Sequence, residues 1–449
     1  MKKVLVLFLF LFLSFNALAL HAPGNLKFSD SRGSKELVFV DFSEANSKIT
    51  YDVINKKTTA ETTITLYQPV QGNIIFDLVE QPDSIYINGE LTSSTQHTIA
   101  QPSSLVRYIN KETEAGTHTI KIINQIERLV SYDSYTKTVR SAFWMSDLSD
   151  RRFLESYLPT NLEYDQYQNN FSVEIIGSEK KHIIRTNGEV TEEKKNKYQV
   201  KYPEHYTSSS IYFHLMEEGA YSEEQNIYKS IGGREIPVTV YSSWDTSRFM
   251  ISSLRILAEL ERDYGPWPHD FLIVYGAGSG GMEYAGATRT STRALGHELH
   301  HGYFARSMMP SRGNNGWIDE ALASWRDNGY NSTSIGSLSP SKMGAHSEYR
   351  RTTDRAAYSK GARFMAYLNY DLKDKGGLRP FLKAYFAKYN QQSFITQNFK
   401  DELEAWADKS YDYLFNPYIY GRGYKKIRHE HAENPMHPKR TEQQELKLL

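Results

Sequence analysis

The chain has no cysteine in 449 residues. That excludes disulfides, thiolate metal sites and lipid attachment through an N-terminal cysteine. It also has no surplus of charge of either sign, since 53 Lys and Arg balance 53 Asp and Glu. Nothing in that balance points to nucleic acid or to an anionic membrane surface as a partner. Past the first twenty residues no apolar run approaches the length of a transmembrane helix, and no internal repeat is visible. What the chain has in plenty is aromatic side chains, 13% of all residues with 32 Tyr and 21 Phe, which suits β-rich packing. Its length allows two or three domains with sizeable cores.

Lys2 and Lys3, the apolar stretch Val4–Leu13 and the small residues of Ala17-Leu18-Ala19 form the pattern of a secretory signal over 1–19. Export to a bacterial periplasm or the medium is the expectation, which the missing cysteines fit. From 20 to 233 the text is strand-like. Short β-branched or aromatic runs such as Ile64–Tyr67, Asn73–Leu78, His118–Ile123 and Phe171–Ile176 are separated by turn residues such as Asn88-Gly89. This predicts an N-terminal β-sandwich or open β-saddle. From 234 to 421 the character is mixed. Strands are expected at Pro237–Tyr241 and Asp270–Tyr275, with helices at Thr246–Tyr264, Thr290–Met308, Ile318–Asn328, Ala356–Leu372, Leu378–Lys388 and Phe399–Ala405. The fold class is therefore α+β and multidomain, with a mixed α/β second domain. The tail from 422 to 449 is polar and is expected to be mobile, with His429, His431 and His437 as solvated side chains.

One stretch carries chemistry. His297-Glu298-Leu299-His300-His301 is followed by eighteen residues and then Glu320, inside Trp317-Ile318-Asp319-Glu320. On a helix His297 and His301 share a face and can bind one metal ion, with Glu298 beside them as general base. A second helix carrying Glu320 supplies the third ligand. Two His, one Glu and an open fourth position form the hydrolytic zinc arrangement, one ion per chain. His300 lies between the ligands on a different face and reads as structural or exposed.

This motif, its spacer and two further stretches resemble the gluzincin aminopeptidases of the aminopeptidase N and leukotriene hydrolase family. Gly280-Gly281-Met282-Glu283-Tyr284 is similar to the family's glycine-x-methionine-glutamate-asparagine segment, and Tyr358-Ser359-Lys360-Gly361-Ala362 to its tyrosine segment. The resemblance implies a thermolysin-like zinc domain behind an N-terminal saddle. Gly281, Met282 and Glu283 would then bind a peptide's backbone and free amine, and Tyr358 would stabilise the oxyanion. Asp147, just ahead of Asp150-Arg151-Arg152, is the implied second acid at the amine. Three departures are visible: Tyr284 replaces the Asn, the stretch from Glu320 to Tyr358 is short, and no large helical domain follows residue 420. A more open cleft is the expectation. The alternatives at this stage are an endopeptidase or other small-substrate hydrolase on the same site, and a binding protein with a silent zinc site.

Overall fold

The computed structural model describes residues 23–30, 33–100, 104–149 and 153–423. The signal pattern at Met1–Leu20, the Arg151-Arg152 pair and the tail histidines lie outside the described residues. The N-terminal region is built around the hairpin Asp41–Asp52 and Lys57–Gln68. Lys57–Gln68 alternates buried and exposed positions almost without exception, the two-residue period of a strand with one face on a core. These strands sit mid-way in an eight-stranded sheet, where Asp41–Asp52 also pairs in parallel with Gln168–Ile176. At one edge the Asn88-Gly89 turn has positive φ at both residues, 52° and 84°, as a tight hairpin turn needs.

A five-stranded sheet packs on this one through Ile74, Phe76 and Ile109 against Ile64, Ile85 and Ile120. A four-stranded sheet closes a second core with Val139, Ile184 and Leu215 against Ile49, Tyr51 and Phe171. That second core also takes in Tyr241, Met282, Tyr284 and Ala287 from the second region. The β region and the strand expected at the active site are therefore packed as one body of apolar side chains.

The second region has its own five-stranded sheet, in the order Ser222–Lys229, Glu235–Ser242, Leu272–Gly276, Ala287–Thr290, Gly281–Tyr284. Ser222–Lys229 and Glu235–Ser242 form a hairpin, so the boundary expected between 233 and 234 falls in its turn and this sheet begins at Ser222. The helix Thr246–Tyr264 has the expected bounds, opened by Asp245, whose side chain accepts from Arg248 N–H at 3.2 Å. The helix expected over Thr290–Met308 is shorter, Leu295–Phe304. Thr288 and Thr290 are drawn into a strand between two neighbours, and at the other end Ala305 and Arg306 N–H both donate to His301 O. Asp412–Tyr418, beyond the last helix expected from the sequence, is a short helix whose Leu414 and Phe415 join the helical core. Among the described residues no helix is long and apolar enough to cross a membrane.

A buried charge cluster ties the two regions together. Arg351, in the loop before the Tyr358 segment, pairs with Asp77, and its Nη1 lies 3.4 Å from Glu155 Oε1; all three are buried. Removing the cation takes this guanidinium from two buried carboxylates. Arg351→Met should cost about 3–5 kcal/mol, read as a lower melting temperature and a lower urea midpoint than those of an exposed control such as Arg255→Met.

Candidate active site

Leu295–Phe304 presents His297 and His301 one turn apart on one face, with ring centroids 4.6 Å apart. The helix Trp317–Asp327 packs against it and carries Glu320. Glu320 Oε2 lies 3.2 Å from His297 Nε2 and 3.6 Å from His301 Nε2, so three donor atoms converge. The remaining ring nitrogens are already engaged. His297 Nδ1 donates to Asp327 Oδ2 at 2.8 Å and His301 Nδ1 to Asp319 Oδ1 at 2.6 Å. A carboxylate accepts, so Nδ1 carries the hydrogen in each ring and Nε2 faces the donor cluster.

Burial opposes a charged imidazole at both positions, yet the carboxylates outweigh it. Asp319, Glu283 and Glu320 hold His301 well above its ordinary pKa, while Asp327 and Glu320 raise His297 to about 9. Burial acts on Glu320 too, but the two imidazoles and the Tyr358 hydroxyl keep its carboxyl below the usual range. A cluster that gathers protons on two imidazoles beside an ionised carboxylate is one in which a divalent cation can replace those protons. The donor set of two His and one Glu, with oriented rings, fits zinc.

Glu298 is buried between this helix and the strand Gly281–Tyr284. A side chain at Gly281 would stand in its way, because a Cβ there would lie 2.0 Å from Glu298 Oε1. Burial, together with the charge of Glu283, pushes the Glu298 carboxyl up to about 8. A carboxyl near neutrality can take a proton and return it.

Tyr358 sits in a π-helical turn, Ala357–Gly361, that leads into the helix Ala362–Asp371. The single long helix expected over Ala356–Leu372 is thus widened at its start, a local irregularity frequent at functional sites. Gly361 lets this turn approach the Glu320 helix, since a Cβ there would meet Ala321 Cβ at 2.7 Å. The Tyr358 hydroxyl donates to Glu320 Oε1 at 2.5 Å and its ring lies parallel to His297.

Gly281–Tyr284 is the last strand of its sheet. Met282 and Tyr284 turn into the β core, and Glu283 turns toward the metal donors, a carboxylate oxygen of it within 4.8 Å of an imidazole nitrogen of His301 and a carboxylate oxygen of Glu298. Tyr284 is a brace: its hydroxyl accepts from Met145 N–H at 3.2 Å, two residues from Asp147. Asp147 and Glu283 come together around a residue the sequence reading did not single out. Arg306 Nη2 donates to Glu283 Oε1 at 2.6 Å and lies 3.2 Å from both Asp147 oxygens. Burial raises Asp147 to about 7, offset by Arg306 and reinforced by Glu283.

The charged residues singled out for the site, and Tyr358, therefore lie in one cluster, with Gly281 against Glu298, while the Met282 side chain packs in the β core instead. His300 is buried edge-on to Tyr264 and stacked on Phe304, as a structural residue. The residues missed are Asp319, Asp327 and Arg306. The first two had a signal: Asp319 adjoins Glu320, and Asp327 lies two turns further along on the same face. Arg306 had none, because nothing in the text says what its guanidinium meets.

No protein-family model matches the sequence and no curated protein does. Solved structures do match. An M1 zinc metallopeptidase from Deinococcus radiodurans superposes with a TM-score of 0.57 at 14% identity, covering 82% of this chain and 90% of that one. Yeast LTA4 hydrolase in complex with bestatin gives 0.59 at 16% identity, over 87% of this chain and 69% of that one. Aminopeptidase A of Legionella pneumophila gives 0.59 at 13% identity, over 83% and 48%. The chain has the M1 metallopeptidase fold. The expected N-terminal β region and mixed α/β second region are both present, and the likeness spans both.

The oriented imidazoles lead to a measurable consequence. Asp319→Asn removes the acceptor charge at His301 while keeping the shape, and should weaken zinc affinity by roughly 10–100-fold in a chelator competition. Unchanged affinity would remove Asp319 from the support of the site.

Proposed function

We propose that this chain is a zinc aminopeptidase that removes N-terminal residues from peptides. One observation carries the reading. The carboxylates of Glu298 and Glu283 and the imidazole of His301 lie within 4.8 Å of one another, so a metal donor, a base and an acid able to hold an amine face one small space.

His297, His301 and Glu320 would hold one zinc ion per chain. Zinc supplies Lewis acidity at a substrate carbonyl and an acidified water. Glu298 accepts the proton of the attacking water and delivers it to the leaving nitrogen, a two-way role that a carboxyl near pH 8 suits. The Tyr358 hydroxyl, one hydrogen bond from the donor set, donates to the charge developing on the carbonyl oxygen. Glu283 and Asp147 pair with the α-ammonium. Their fixed distance from the donors sets the cut after the first residue. The edge of Gly281–Tyr284 offers backbone groups to an extended peptide.

A second reading, cleavage within a chain or of an N-blocked substrate, is favoured by one observation: Arg306 already pairs with both acids. A panel of free and N-acetylated aminoacyl fluorophores, with and without a chelator, separates the two. Free-amine substrates should be turned over and the chelator should abolish it. Glu298→Gln should retain zinc and lose turnover, and Tyr358→Phe should lose roughly a hundred- to a thousandfold in kcat with KM little changed. Equal turnover of blocked substrates would sink the aminopeptidase reading, and full activity of Glu298→Gln the mechanism.

We also infer export, from the Met1–Leu20 pattern. The mature chain should begin near Leu20 or His21, and mass spectrometry of secreted protein with an intact Met1 would refute this.

A further inference from the structure

Arg306 is 2% exposed and every face of its guanidinium is used. Beyond Glu283 Oε1 and the two Asp147 oxygens, its Nε donates to the backbone carbonyl of Glu283 at 3.3 Å. Its Nη1 donates to Ser209 Oγ at 3.0 Å and to Ala305 O at 3.4 Å. The side chain thus joins the edge strand, the β region and the end of the histidine helix. We propose that Arg306 is a positioning residue for substrate: it locks Glu283 and Asp147 into one acidic receptor with a single net negative charge, matched to one α-ammonium. The inference rests on the aminopeptidase reading above and deepens it by naming what sets the receptor's charge and shape.

The argument is one of charge and geometry. Two neighbouring carboxylates repel, and a cation fixed between them offsets that repulsion and keeps both turned to one point. With both acids ionised, the state that an α-ammonium beside them favours, two carboxylates and one guanidinium sum to minus one. An incoming ammonium brings the receptor to neutrality, whereas an acetylated nitrogen leaves one negative charge desolvated and unpaired, which costs binding. The cation at the acids therefore does not block the amine; it rations the charge left for it. A planar fork is needed, because one group must reach two carboxylates, a carbonyl and a hydroxyl together, which an ammonium on a flexible stem does not.

The test compares zinc-loaded wild type, Arg306→Lys and Arg306→Met on alanine 4-nitroanilide and its N-acetyl form. Wild type should prefer the free amine. Arg306→Met should raise KM for the free amine by about tenfold or more, with kcat falling far less and KM for the acetylated form unmoved. Arg306→Lys should show a smaller rise of the same selective kind, and it decides the question alone where Arg306→Met does not fold. A wild-type preference that survives unchanged in the variants, or equal KM changes on both substrates, would overturn the role of Arg306 while leaving the aminopeptidase reading intact. Equal handling of both substrates by wild type would overturn that reading, and this inference with it.

Discussion

The contact between His301 and the acidic start of the Trp317–Asp327 helix is what the rest of the site depends on. Within one turn of that helix Asp319 takes the outer nitrogen of His301 and Glu320 approaches the inner one. Both acids and the ring are buried, so the interaction is formed away from water, where unpaired partners are expensive. It fixes how two helices sit against each other. The remaining donors then follow from helix geometry: His297 one turn back on one helix, Asp327 two turns on along the other.

Around that contact the molecule brings charge from several directions into a small dry space. The edge strand supplies Glu283, a loop inside the β region after the strand Thr138–Ala142 supplies Asp147, and the widened turn supplies Tyr358. Close approach is secured by omission of side chains. Gly281 makes room for Glu298, and Gly361 lets the tyrosine turn settle on the Glu320 helix. Arg306 and the two imidazoles stand among these acids and offset their mutual repulsion. Burial first, and the neighbouring Glu283 charge after it, raises the Glu298 and Asp147 carboxyls.

The β region is part of the site's construction as well as a neighbour of it. Its core runs into Met282 and Tyr284, its Ser209 anchors Arg306, and Met145 N–H holds the Tyr284 hydroxyl. The Tyr284 phenol reaches across from the edge strand to the segment that carries Asp147. Arg351, clasped by Asp77 and Glu155, ties the loop ahead of Tyr358 to the same region.

By itself the sequence determined whatever is local or periodic. His297, Glu298 and His301 are legible because an α-helix sets four-residue neighbours on one face, and Thr246–Tyr264 because its apolar stripe and Asp245 cap are written in order. The β character of the first region is legible for the same reason, although Asp41–Asp52 is hidden by its polar face of Ser, Asn and Lys. Only the tertiary structure decided where the helix of His297 begins, since Thr290 could serve either element until a sheet took it. Only the tertiary structure placed Ser222–Lys229 in the second sheet and gave Arg306 its two carboxylates from residues 23 and 159 positions away. Pairing of that range is set by packing of whole elements, and no spacing in the chain encodes it.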